Sequence, residues 1–120
     1  LDPDGSLISH RLYRNHCVPI QGNYIKDLRL LRDRQLSQTV IIDNNACSFG
    51  YQLDNGVPII SWYNDYADRE LYNLMDYLRL LSMVKDVRII NRHTFRLHSY
   101  YEDFLVEHKR NFDYDKFIFR

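Results

Sequence analysis

No surplus of either charge exists in this chain: sixteen Lys and Arg balance sixteen Asp and Glu over 120 residues. The broad electrostatic attraction that draws proteins onto polyanions is therefore missing, and no nucleic-acid partner is expected. Cysteine is scarce as well. Cys17 and Cys47 stand apart, without the spacing of a disulfide framework or a CxxC motif, so both are read as thiols of a reducing compartment. No apolar run approaches the ~18 residues of a membrane span, and the first residues show neither a basic n-region nor an apolar h-region. Flanking sequence is left to supply any anchor. His10, His16, His93, His98 and His108 are scattered without zinc-site spacing. With no repeat, low-complexity tract or linker, 120 residues amount to one domain at most.

An apolar content of 45% is enough for a core, and the ten tyrosines at helical or strand spacing read as packing residues rather than base-stacking ones. The stretch around which the chain is organised is Gln38-Thr39-Val40-Ile41-Ile42-Asp43-Asn44-Asn45. A β-branched run without polar alternation reads as a strand buried on both faces, as in helix-covered parallel sheets. Ligands in such sheets bind beyond the carboxyl ends of the strands. Asp43 and Asn44 would project there with hard oxygens suited to magnesium. Asp43, Asn44 and Asn45 also suit a turn that caps the following segment, and the stretch alone leaves both readings open.

Before this strand, Leu1 to Ser6 is turn chemistry and Ser9 to Tyr13 alternates like a short strand. A chain that opens in a turn, without a strand to begin a βαβ unit, is expected to be the later part of a domain. Cys17 to Ile20 is a second short apolar run. Gly22 permits a positive φ, and Asn23 is placed to cap a helix through residues 26–31, with Lys26 in its first turn. A cation there opposes the helix dipole, which hints that the side chain serves something other than local structure. After the central strand, Asp54-Asn55-Gly56 reads as a turn and Val57 to Ile60 as an edge or initiating strand containing Pro58. Asp65 and Asp68 start a helix with Leu71, Leu74, Met75, Leu78 and Leu81 on its inner face. Val84 to Asn91 reads as a further helix. A third has an apolar face of Leu97, Tyr101, Phe104, Leu105 and His108, and an aromatic tail begins at Asn111.

Five blocks, Arg14-x-x-Cys17, Gly22-Asn23-Tyr24-Ile25-Lys26-Asp27-Leu28, Val40-Ile41-Ile42-Asp43-Asn44, Asn55-x-x-Pro58-x-x-Ser61-Trp62 and Asp68-x-Glu70-Leu71, occur in the order of one family. Together they resemble the small phosphatases of the RNA polymerase II C-terminal domain, also called nuclear LIM interactor-interacting factor-like phosphatases, of which Dullard is a relative. The similarity covers roughly residues 7–90. It implies an α/β fold of haloacid dehalogenase type: a Rossmann-like three-layer sandwich around a central parallel sheet. Residues 1–91 would be the C-terminal part of the phosphatase domain, and 92–120 a helical and aromatic extension.

What the resemblance implies for function is magnesium-dependent hydrolysis of phosphoserine or phosphothreonine in proteins through an aspartyl-phosphate. The family's Asp-x-Asp-x-Thr/Val nucleophile motif does not occur here; Asp2-Pro3-Asp4 has the bare spacing but follows no apolar strand. The nucleophile is expected upstream of Leu1. Lys26 matches the lysine that neutralises the nucleophile and phosphoryl oxygens, Asp43 and Asn44 match the Mg2+ ligands, and Arg14 matches an arginine near the phosphate. Asn45-Ala46 and Gln52-Leu53 depart from the family's usual Ser-Pro and His-Pro, removing no charge or ligand. The implied partner is a phosphoprotein. The compartment is nuclear or cytoplasmic, or the nuclear and endoplasmic reticulum membrane through flanking sequence. A second reading is a non-catalytic scaffold, like the mitochondrial import receptors that share the fold and hold polypeptides.

Overall fold

The computed structural model describes residues 1–99. Its first regular element is a 3-10 turn, Arg14–His16. Ser9 to Tyr13 forms no strand, contrary to its alternation. The Asp2 carboxylate holds the approach to this segment instead, accepting the N–H groups of Leu7 and Ile8 at 3.1 and 2.9 Å and pairing with Arg11 at 3.0 Å. Alternation without a partner strand gives no ladder, and an acidic side chain takes the amides.

Strands β1 (Val18–Ile20) and β2 (Asn23–Ile25) form an antiparallel hairpin with Val18 opposite Ile25. Gln21 and Gly22 both have positive φ, 47° and 81°. This is the reversal that a two-residue hairpin demands, and it overrides the helix expected over residues 26–31. Asn23 is a strand residue, and helical structure is limited to one 3-10 turn, Leu28–Leu30, capped by Asp27 rather than Asn23. Lys26 therefore lies ahead of any helix, and the dipole argument does not apply to it.

Strands β3 (Ile41–Asp43) and β4 (Gly56–Pro58) pair in parallel, with Asp43 opposite Pro58. Among the described residues each sheet has two strands. The expectation of a strand buried on both faces fails at Ile42, which is 37% exposed, because a two-stranded sheet leaves β3 with one edge and part of one face uncovered. The crossover between β3 and β4 is a kinked 3-10 segment, Ala46–Asn55, broken at Phe49 and Gln52.

Asn55 is not a turn residue. It is buried, and its amide donates to the carbonyls of Leu36 and Thr39, tying the approach to β3 against the start of β4. Gly56 has an ordinary φ of −87°, so space rather than backbone freedom requires glycine: a Cβ would overlap the ring of the buried Phe49.

Two helices cover β4. Helix α1 (Glu70–Ser82) starts five residues after Asp65, because Asp65 and Asp68 spend their carboxylates on the amides of Ala67 and Glu70 in the turns before it. Its inner stripe is Leu74, Tyr77, Leu78 and Leu81, whereas Leu71 and Met75 are exposed. Helix α2 (Val87–Phe95) is capped by Asp86 on the Arg88 amide. Val57 of β4, Leu81 and Val87 form the buried core between them. The Tyr77 hydroxyl donates to Asn91 at 2.7 Å, and the Asn91 amide donates to the Asp54 carbonyl at 2.9 Å, so a satisfied polar chain crosses this core. The expected stripe from Leu97 to His108 runs beyond the described residues, and the aromatic tail lies outside them.

Gly56→Ala is expected to lower the unfolding free energy of the full-length protein by about 2 kcal/mol, since the buried Phe49 ring would have to move out of the new methyl's way. Denaturant melts check this; a variant within 0.5 kcal/mol of the parent, on the scale of a neutral surface change, would show that Phe49 repacks freely.

Candidate functional site

The antiparallel register of β1 and β2 places the residues just before Val18 and just after Ile25 at the same end of the hairpin. That end carries Arg14 on its 3-10 turn and Lys26 on the exit from β2. The Lys26 amide donates to the Ser48 carbonyl at 2.6 Å, which fastens the hairpin exit to the β3–β4 crossover. Asp43, the last residue of β3, is fixed from the other side: its carbonyl accepts the Ile59 amide at 3.1 Å, and its Oδ1 accepts the Asn45 amide at 2.8 Å. Lys26 Nζ then meets Asp43 Oδ2 at 2.5 Å.

The pair is asymmetric. The Asp43 side chain is 6% exposed and that of Lys26 51%. A buried carboxylate is costly without a cation, so Lys26 answers Asp43 from the solvent side while its ammonium keeps donors for a further anion. Asn44 donates from Nδ2 to Ser61 Oγ at 2.8 Å, leaving its Oδ1 as the acceptor. Asn45 accepts the Cys47 amide and starts the 3-10 segment. Within the Asp-Asn-Asn run Asn45 caps the following segment, while Asp43 is the last residue of β3 and Asn44 follows it.

Arg14 lies with its guanidinium carbon 4.4 Å from the centroid of the Tyr24 ring, a cation–π contact that holds the charged group beside the hairpin. Arg14, Lys26, Asp43 and Asn44 all line one cleft of about 730 Å3. The four residues singled out from the sequence are brought together. Three others were missed. Tyr24 orients Arg14, and His16 lines the same cleft. Gln52 accepts the Leu28 amide at 3.0 Å and donates to Asp27 at 2.9 Å, bracing the segment that follows Lys26. The Tyr24 contact and the Gln52 brace depend on the hairpin and on the kinked crossover, neither of which residue spacing reveals.

A model of the family described as "NLI interacting factor-like phosphatase" matches residues 1–88. The chain belongs to that family. It is 46% identical over 111 residues to CTD small phosphatase-like protein 3 of Caenorhabditis elegans, covering 92% of this chain and 38% of that protein. It is 50% identical over 99 residues to CTD small phosphatase-like protein 2 of Dictyostelium discoideum, covering 82% and 17%. CTD nuclear envelope phosphatase 1B of Danio rerio is 40% identical over 100 residues, covering 81% and 40%. The chain therefore spans less than half the length of each of these relatives. The NIF-like resemblance drawn from the five blocks stands, and the mixed α/β content agrees with it. Among the described residues no helix is long and apolar enough to cross a membrane.

Magnesium prefers hard oxygen ligands in octahedral arrangement. One carboxylate and one amide oxygen at the end of β3 fit that preference in kind. They do not fill it: among the described residues no group of three or more His, Cys, Asp or Glu converges. The remaining oxygens would have to come from other protein residues or water.

Asp27 supplies a pH-dependent test of the brace. Hydrogen bonds from the Arg29 guanidinium, and then from the Arg29 amide and Gln52, hold its carboxyl below the ordinary aspartate value. A depressed folded value means that its stabilisation is complete above 3.8 and is lost as pH falls through the lower folded value. Asp27→Ala should destabilise the full-length protein by about 1–2 kcal/mol at pH 7, as loss of a helix-capping carboxylate does. The difference from the parent should shrink as pH falls below 3.8. Urea melts across that range check it; a pH-independent difference would show that the carboxylate charge plays no part.

Proposed function

We propose that the full-length protein carrying these residues hydrolyses phosphoserine or phosphothreonine esters in proteins, with magnesium as cofactor. The observation that carries this reading is the Lys26 ammonium held on the buried Asp43 carboxylate in a cleft that Arg14 also lines. Phosphoryl transfer depends on positioned positive charge more than on covalent chemistry from the protein. Lys26 offers that charge on a half-exposed stem, and Arg14 adds a planar fork suited to phosphate oxygens. Asp43 and Asn44 would hold the cation. When bound, magnesium would supply further neutralisation of phosphoryl oxygens.

The attacking carboxylate is assigned to residues outside this chain, and the product of its attack is an aspartyl-phosphate. In the same reading residues 1–91 are the C-terminal part of a three-layer, haloacid dehalogenase-type domain, with β3 as one of its central parallel strands, and 92–120 an extension. The implied partner is a phosphoprotein, met in the nucleus, the cytoplasm or at the nuclear envelope. A scaffold of the same fold would need neither a buried acid answered by lysine nor an arginine lining the same cleft, so the enzyme is favoured over the polypeptide-holding alternative.

Lys26→Met deletes the charge and keeps the stem. On a phosphoserine peptide it should lower kcat roughly a hundredfold or more, and Lys26→Arg should restore little, because a planar fork cannot occupy the same point. The Met variant leaves a buried carboxylate without its cation, so kinetics belong at a temperature where circular dichroism shows it folded. Turnover within a few-fold of the parent would return Lys26 to a structural role. Asp43→Ala should abolish the magnesium dependence, read as the activity lost on chelation and restored by titrated metal.

A further inference from the structure

His16 has no place in the family's motif or in the site as proposed, yet its geometry is specific. It closes the Arg14–His16 turn in two ways: its amide donates to the Tyr13 carbonyl at 2.9 Å, and its Nδ1 accepts the Tyr13 amide at 2.9 Å. A backbone N–H can only donate, so Nδ1 is the acceptor nitrogen. In the neutral ring the proton then belongs to Nε2. That atom lies at the far end of the ring, on a side chain that lines the cleft with Arg14 and Lys26, and has no protein partner among the described residues. The hairpin register puts the turn carrying Arg14 and His16 at the same end as Lys26, and all three line the one cleft.

We propose that His16 is a phosphoryl-contacting residue whose Nε2–H donates to an oxygen of the phosphomonoester, an assignment that rests on the phosphatase reading. A phosphomonoester presents three equatorial oxygens that need donors. Lys26 and Arg14 meet them with full charges, and His16 adds a neutral donor in fixed orientation. A shorter capping residue such as Asn or Ser would close the same turn without reaching the cleft. Histidine does both.

Two variants separate the roles. His16→Asn keeps a side-chain acceptor for the Tyr13 amide but removes the far donor; His16→Ala removes both. With the full-length protein and a phosphoserine peptide, both variants should raise KM about tenfold, the worth of one hydrogen bond to a charged group, with kcat changed no more than about threefold. Inhibition by inorganic phosphate should weaken by the same factor, and the melting temperature of the Asn variant should match the parent's. Parental KM and phosphate inhibition in His16→Asn would overturn the proposal and leave His16 as a turn cap. Calorimetry with inorganic phosphate reads the contact without turnover. A parent that binds phosphate in a His16-dependent way but hydrolyses nothing would sink the phosphatase reading while keeping this contact; equal phosphate binding by parent and Asn variant would sink the contact itself.

Discussion

The ion pair between Lys26 and Asp43 is the join on which the arrangement of this chain depends. The described residues contain two small sheets of opposite kind, an antiparallel hairpin and a parallel pair, that share no strand. Besides the packing of β2, with its buried Ile25, on the crossover, what registers one on the other is a short list of polar contacts: Lys26 Nζ on Asp43, the Lys26 amide on Ser48, and Gln52 across Leu28 and Asp27. Such a pair contributes little net stability when compared with an apolar replacement, because taking the carboxylate out of water offsets most of the attraction. Breaking it from one side is costly, since Asp43 would remain buried and charged. The interaction therefore fixes position more than it adds stability. Every donor of the cleft inherits its place from that registration, Arg14 through the hairpin and Tyr24, His16 through the turn beside it.

The polar interior behind the site follows the same logic. Asn55 holds the loop ahead of β3 with two donated hydrogen bonds, and Asn91 links Tyr77 of α1 to the Asp54 carbonyl. Asp54 in turn pairs with Arg92 at 2.7 Å and His98 at 3.0 Å. These contacts tie the helices to the residues immediately before β4 rather than to solvent-facing loops. The carboxyl end of the β3–β4 pair is thus braced from below by the core of Val57, Leu81 and Val87 and from the side by hydrogen bonds. A site that must hold two charges at fixed separation needs such support.

The legible parts of this chain were those set by chemistry within a few residues. The β-branched run ending in Asp43 announced a strand, Gly22 announced a positive φ, and Lys26, Asp43, Asn44 and Arg14 line one cleft. Partners distant in sequence decided the rest. Lys26 to Leu31 carries a helical pattern, but β1 captures Asn23 to Ile25 first, so only one 3-10 turn survives. Leu71 and Met75 fit the apolar period of α1, yet the helix docks through Leu74, Tyr77, Leu78 and Leu81, a face set by where α2 lies. Gly56 looked like turn chemistry and is a packing requirement imposed by Phe49. Gln52 looked like a harmless departure from the family and is a brace. In each case the local pattern was real and a nonlocal contact outweighed it.

The central claim is that Lys26 and Asp43 act as one unit on the phosphoryl group, and a double-mutant cycle on kcat/KM measures it most directly. Parent, Lys26→Met, Asp43→Asn and the double variant of the full-length protein would be assayed on one phosphoserine peptide at saturating magnesium. The account predicts strong non-additivity: the double variant no slower than the worse single one, with a coupling energy above about 1.4 kcal/mol. Losses that simply multiply would show two residues acting independently, and would contradict it.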